Sequence, residues 1–201
     1  NGLLDDVQFY PIALTPANLA TIMAPTVQPL VQNGSFEVGY PGNGPCGAAW
    51  YSVGYVVGCT GTIPGWTVGG GGVDWHDGPQ FGGPAQDGTR AIDLNGAAPY
   101  PAGTISQDIP TTPGASYLLS YYYAANSACQ NGPKNGTATA GSASQGFFTD
   151  TGPGFPGWQN ASLAFTASAS STTITSPGLS RLPCILCSTC TIRTWAPLGP
   201  S

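Results

Sequence analysis

The sequence has very little charge: 6% of its 201 residues are charged, and the net charge is −5. Its four basic residues form no patch, which argues against a nucleic-acid partner. No apolar run reaches the 18 or so residues of a membrane-spanning helix, so we expect no membrane insertion. With one histidine in the chain, no Ser–His–Asp arrangement stands out, and the sequence supplies no obvious catalytic centre.

Glycine and proline are abundant instead, with 30 and 20 residues. Aromatic residues make up 10% of the chain, which argues against disorder because disordered chains are usually poor in them. Strand patterns occur at 103–109, 117–124, 158–167 and 172–175, and no long helical pattern separates them. The sequence therefore predicts an all-β sandwich of short strands joined by turns rather than a parallel sheet with crossover helices.

Residues 1–24 differ from the rest of the chain. Residues 2–10 alternate like a strand, and Thr15 with Pro16 is typical of the start of a short helix. The segment resembles the closing strand and terminal helical turn of laminin-G-like, concanavalin-type jelly rolls. Since one strand cannot form a domain, the resemblance implies the C-terminal end of a preceding domain. Residues 25–29 then form a linker, and we expect the chain to be part of a longer precursor.

Short motifs closed by Gly, Pro or Asn follow one another over residues 30–176. They lie at 31–37, 63–68, 73–75, 87–88, 91–96, 103–107, 112–117, 125–126 and 157–158. In this order they resemble the bacterial relatives of the DUF642 family, also called choice-of-anchor C proteins. The resemblance implies a galactose-binding-like jelly-roll sandwich over residues 30–178. It also implies a secreted or surface-attached protein without catalytic activity, and in plants such proteins are associated with cell-wall polysaccharides.

Residues 179–201 depart from the family, which ends in a strand resembling Cys-Gly-Pro-Ala-Leu-Asp-Asn-Val. They lack strand periodicity, so we predict an irregular tail there, and our hypothesis is a frameshift in the source sequence. Within this tail, Cys184, Cys187 and Cys190 have the spacing of a metal site but lack a fourth ligand and its supporting shell. The resemblance instead implies that one of the three pairs with Cys129.

Six cysteines in a polar, Gly-rich chain indicate an oxidising compartment, and we expect an extracellular or cell-surface protein. A disulfide between Cys46 and Cys59 would stabilise the fold by roughly 2–4 kcal/mol; the alternative is two free buried thiols. The sequons at Asn33, Asn135 and Asn160 matter only in a eukaryotic secretory host.

One short cluster combines carboxylates, an aromatic ring and the histidine of the chain. It consists of Asp74, Trp75, His76 and Asp77. An exposed indole could stack on a sugar ring while the carboxylates accept hydrogen bonds from its hydroxyls, so this is the best carbohydrate-site candidate. The alternative, which composition favours, is a core Trp that ends a strand, followed by an ordinary loop. Trp50, Tyr51 and Tyr55 form the second candidate surface.

Glu37 is the only glutamate of the chain. Sandwich modules of this broad class often hold a structural Ca²⁺ between such a Glu and an Asp of the closing strand, and Ca²⁺ prefers oxygen ligands of this kind. The closing-strand Asp is missing here, so a carboxylate that binds a turn is the equal alternative.

These patterns predict a non-enzymatic extracellular module that binds polysaccharide or another glycan, or that mediates adhesion. The first alternative is a structural spacer without a ligand, and the second is an accessory module of a polysaccharide-active enzyme. Exposure of Trp75 separates the first two, because an exposed indole favours binding and a buried one favours the spacer.

Overall fold

A computed structural model describes residues 30–39, 50–53, 62–77, 83–94, 102–126, 132–151, 155–177 and 185–195. The strands within them are β1 Trp50–Val53, β2 Thr67–Gly70, β3 Val73–Asp77, β4 Arg90–Asp93, β5 Gly103–Pro110, β6 Ser116–Ala125, β7 Gly132–Ala140, β8 Ala143–Thr151, β9 Gln159–Thr166, β10 Ser171–Pro177 and β11 Ile185–Trp195. These residues contain no helix, hence none that could cross a membrane. The predicted N-terminal strand, helix and linker, residues 1–29, lie outside the described part.

The strands form two antiparallel sheets. One has the order β1-β3-β4-β11-β6-β9 and the other the order β2-β5-β10-β7-β8. Alternation along the strands explains how they pack, since successive side chains point to opposite faces of a sheet. In β5, for example, Ile105 and Ile109 are 1% exposed while Asp108 is exposed. The apolar faces of the two sheets meet in one core, which confirms the predicted jelly-roll β-sandwich.

Aromatic rings fill much of the space between the sheets. The Tyr117 and Phe165 rings stack with centroids 5.3 Å apart, and the Phe147 ring lies 4.7 Å from that of Tyr123. Such contacts add about 0.5–1.5 kcal/mol each beyond the area they bury. Aromatic rings thus pack both between neighbouring strands of one sheet, as Tyr117 and Phe165 do, and between the two sheets, as Phe147 and Tyr123 do.

Strand β11 corrects the prediction of an irregular tail over residues 179–201. Residues Ile185–Trp195 pair with β4 on one side and with β6 on the other. The register shifts between Ser188 and Cys190, so a bulge interrupts the two-residue period that strand recognition relies on. Past the bulge, Cys190 and Ile192 lie opposite the buried Tyr121 and Leu119.

The turn at residues 30–39, which we call the opening turn, is fixed by the side chain of Gln107. Its Oε1 accepts a hydrogen bond from the Gln32 backbone N–H at 2.7 Å. Its Nε2 donates to the carbonyl oxygens of Gln32, at 3.0 Å, and Gly65, at 2.6 Å. One amide thus satisfies the backbone of two separate segments, and it attaches both to β5.

We expect Gln107→Ala to lower the free energy of unfolding by about 2 kcal/mol, because it leaves partly buried backbone groups without partners. Urea denaturation followed by tryptophan fluorescence measures the change. The matched control is Gln145→Ala, since Gln145 is exposed and, among the described residues, its amide donates to the neighbouring Gly146 carbonyl oxygen; it should change stability by less than about 0.5 kcal/mol. Equal midpoints for the two variants would contradict the role of Gln107.

Candidate functional site

The cluster at 74–77 lies within strand β3, and its residues 74–76 are buried. Trp75 is 0% exposed, and its Nε1 donates a hydrogen bond to the Phe36 carbonyl oxygen at 3.0 Å. Asp74 and His76 are 5% and 2% exposed. The indole therefore has no face for a sugar ring, which carbohydrate binding at this cluster would require. The structure matches the alternative of a core Trp, although His76 and Asp77 belong to the strand and not to a loop.

Asp74 belongs to a buried polar group that links two parts of the six-stranded sheet. It lies opposite Asp93 in the pairing of β3 with β4. Asp93 is 2% exposed, and its Oδ2 accepts a hydrogen bond from Asn126 Nδ2 at 2.9 Å. In sequence, Asp93 and Asn126 stood out only as family motifs. No group of three or more His, Cys, Asp or Glu side chains among the described residues could hold a metal ion.

Glu37 binds backbone in the described structure. Its Oε1 accepts hydrogen bonds from the Thr89 and Arg90 backbone N–H groups at 2.8 and 2.7 Å, and its Oε2 lies 3.8 Å from Arg90 Nε. Gly88, at φ +64°, leaves room for the carboxylate, since a Cβ there would fall 2.5 Å from Oε1. These contacts match the turn-binding alternative, and the carboxylate fixes the segment that precedes β4. A Ca²⁺ site at Glu37 stays a prediction.

The remaining predicted site residues are only partly described. Cys46 and Cys59, and with them the predicted disulfide, lie outside the described residues, as do Tyr55, Cys129 and Cys184. Trp50 and Tyr51 are in β1, where they pair with His76 and Trp75. Cys187 and Cys190 are in β11.

The outer face of the six-stranded sheet is covered near β3, β4 and the end of β6. Asp74, His76 and Asp93 alternate with core residues and so point to this face, yet they are buried. Ala124 is 0% exposed beneath the rings of Phe155 and Trp158. The Trp158 Nε1 donates to the Pro84 carbonyl oxygen at 2.9 Å, which ties the cover to the segment before β4. This part of the sheet offers no surface to a large ligand.

The outer face of the five-stranded sheet, which we call the open face, is different. One hydroxyl residue from each strand lies in register across it, and we call this set the hydroxyl row. The row consists of Thr67 on β2, Ser106 on β5, Thr175 on β10, Thr139 on β7 and Ser144 on β8. Its two end residues are exposed and the three central ones are half-buried. The open face therefore presents a line of hydroxyl groups to solvent.

The rest of the open face is also polar and almost uncharged. Asp108 is its one charged residue among the side chains described there, and it accepts a hydrogen bond from Thr173 Oγ1 at 2.5 Å. At the far end of β8, Phe148 is 55% exposed and lies opposite the exposed Asn135 on β7. Sequence reasoning missed all of these residues, because each is an ordinary strand residue until the register brings them together.

The DUF642 sequence family, described as a protein of unknown function, matches residues 29–184. The chain belongs to this family. The match confirms the resemblance to DUF642 seen in the motifs. The structure shows what two motif residues of this DUF642 chain do: Gln107 and Trp75 both form hydrogen bonds with the opening turn. No curated protein sequence matches this DUF642 chain.

Solved structures share the fold of this DUF642 chain at low sequence identity. TmCBM61 in complex with β-1,4-galactotriose is 14% identical, with a TM-score of 0.50 over 84% of this chain and 99% of that one. The K1 cleaved adhesin domain of Lys-gingipain from Porphyromonas gingivalis W83 is 8% identical, with a TM-score of 0.50 over 68% and 94%. The CBM22-1 xylan-binding domain of Paenibacillus barcinonensis Xyn10C is 16% identical, with a TM-score of 0.48 over 67% and 88%.

His76 makes the stability of this DUF642 domain depend on pH. Burial lowers the pKa of His76 from 6.5 to about 2, so the folded state keeps the imidazole neutral while the unfolded state protonates it below pH 6.5. We therefore expect the neutral His76 to make its full contribution to the free energy of unfolding above pH 6.5. Between pH 6.5 and 5 the free energy of unfolding should fall by up to about 1.4 kcal/mol per pH unit.

Urea titrations at several pH values measure this slope. The control is His76→Gln, which removes the only histidine of the chain and should flatten the slope between pH 6.5 and 5. An unchanged slope in this variant would mean that another group is responsible.

Proposed function

We propose that this chain is a non-catalytic module that binds neutral polysaccharide on the open face of its five-stranded sheet. The observation that carries the proposal is the hydroxyl row on an almost uncharged surface. Serine and threonine hydroxyls both donate and accept hydrogen bonds, as the hydroxyls of a sugar do. We expect such a module to act outside the cell or at its surface, where polysaccharides are found.

Two further observations support this proposal. The carboxylates of Asp74 and Asp93, which lie opposite each other, are 5% and 2% exposed, so a substrate could not reach them as a catalytic pair. TmCBM61, one of the structures that match the fold with a TM-score of 0.50, was solved in complex with β-1,4-galactotriose. A neutral galactan is therefore a suitable first probe.

A structural spacer without a ligand is the second candidate. The burial of Trp75 favours it, because it removes the surface on which the sequence placed sugar binding. Binding on the open face separates the two candidates, since a spacer would bind no glycan there.

A bulky, positively charged side chain introduced in the middle of the open face should block binding. We expect Thr175→Arg to weaken binding to immobilised neutral polysaccharides at least tenfold, because the long side chain would displace a ligand from the centre of the hydroxyl row. Thr166→Arg is the matched control: Thr166 is an exposed threonine on β9 of the other sheet, and the variant should bind like the wild type. Affinity electrophoresis gives the dissociation constants, and thermal melting shows whether each variant is folded. Equal binding by both variants would contradict a site on the open face.

The charge of the ligand should matter as well. The chain carries a net charge of −5, and Asp108 lies on the open face, so an acidic polysaccharide should be repelled. At low salt we expect polygalacturonate to bind at least tenfold more weakly than galactan, and the difference should shrink near 0.5 M salt as charges are screened. Tighter binding of polygalacturonate at low salt would show that the ligand is an anion.

A further inference from the structure

The hydroxyl row has a regular spacing. Its members are direct register partners from one strand to the next, and neighbouring strands lie about 4.8 Å apart. The four steps from Thr67 to Ser144 therefore span roughly 19 Å. Each step is close to the length of one pyranose unit in an extended β-linked chain.

The side chains of the row point away from the core. Ile105, Ile174 and Ala140, which adjoin row members in sequence, are 1%, 2% and 2% exposed and pack between the sheets. Since neighbouring side chains in a strand point to opposite faces, Ser106, Thr175 and Thr139 project outward. The row is thus a surface feature whose side chains point away from the core.

Within the part of the chain that the structure describes, the row is open at both ends. It runs from β2 to β8, which are the two edge strands of the sheet, and Thr67 and Ser144 at its ends are exposed. A chain lying along the row could continue past both edges. This arrangement suits the interior of a polymer, whereas recognition of a chain end requires a closed pocket.

We infer that the hydroxyl row binds an internal stretch of an unbranched, extended neutral polysaccharide, which crosses the five strands with one sugar unit near each. This inference rests on the proposed function. It adds the direction in which the polysaccharide crosses the sheet, the number of sugar units in contact and the class of polysaccharide. Phe148 lies outside the line of contact, because it is four positions further along β8 than Ser144, a distance of roughly 13 Å.

Titration calorimetry with β-1,4-linked xylo-oligosaccharides of two to eight units, which are neutral, unbranched and extended, tests the inference. Affinity should rise with each added unit up to about five and then stay constant. Blocking the reducing end of an eight-unit chain should change nothing, because the row contacts its interior. An affinity that is already maximal with two units, or that is lost when the end is blocked, would overturn the inference.

Variants at the two ends of the row locate the contact. Thr67→Val and Ser144→Ala should each weaken binding of the eight-unit chain about 3- to 10-fold, the loss of one hydrogen bond. They should affect the three-unit chain less, because it need not reach the ends of the row. Thr173→Val is the control, since Thr173 is an exposed threonine of the same face outside the row. Melting temperatures check that all variants fold.

The outcomes separate this inference from the proposed function. If the end variants bind normally while Phe148→Ala loses binding, the ligand lies at the far end of β8; the row inference is then wrong and the proposed function stands. If the folded wild-type protein binds no polysaccharide or oligosaccharide at all, both fail.

Discussion

The six-stranded sheet depends on the pairing of β11 with both of its neighbours. Strands β3 and β4 form one part of this sheet and β6 and β9 another, and the sheet order places β11 between them. Register contacts run along ten residues of β6 and two of β4. Because residues at the far end of the described chain pair with residues 60 to 95 positions earlier, the sandwich is built on long-range pairing, which is typical of slowly folding β proteins.

The family motifs of this chain are mainly structural. Asn33 illustrates this: its side-chain Nδ2 donates to the Pro64 carbonyl oxygen at 3.0 Å, and its own carbonyl accepts a hydrogen bond from Trp66 Nε1 at 3.0 Å. Phe36, at a positive φ of 63°, is fully buried with its ring 5.4 Å from that of Trp66. The motifs thus fix the opening turn against the core, and the surface that meets a ligand lies elsewhere.

The sequence predicted the fold class and most of the strands with large apolar residues, but it missed β1, β7, β8 and β11. In β7 the inward positions hold Ala138 and Ala140, which give too little contrast for an alternating pattern, and in β11 a bulge breaks the period. For the cluster at 74–77 the limit of sequence prediction is different. The sequence shows that Trp75 adjoins carboxylates, but burial depends on segments distant in the chain. The hydroxyl row exists only through the register of five strands.

The open face also bears on the choice of cell in which the protein is made. Of the three N-glycosylation sequons, the one at Asn33 has its amide nitrogen bonded to two backbone carbonyls, and Asn160 donates to Ser120 and Tyr121. Asn135 is exposed on β7, four residues from the row member Thr139 and on the same side of the strand. A eukaryotic secretory host that attached a glycan to Asn135 would place a mobile sugar tree over the open face. Protein from a bacterial host would leave that face bare.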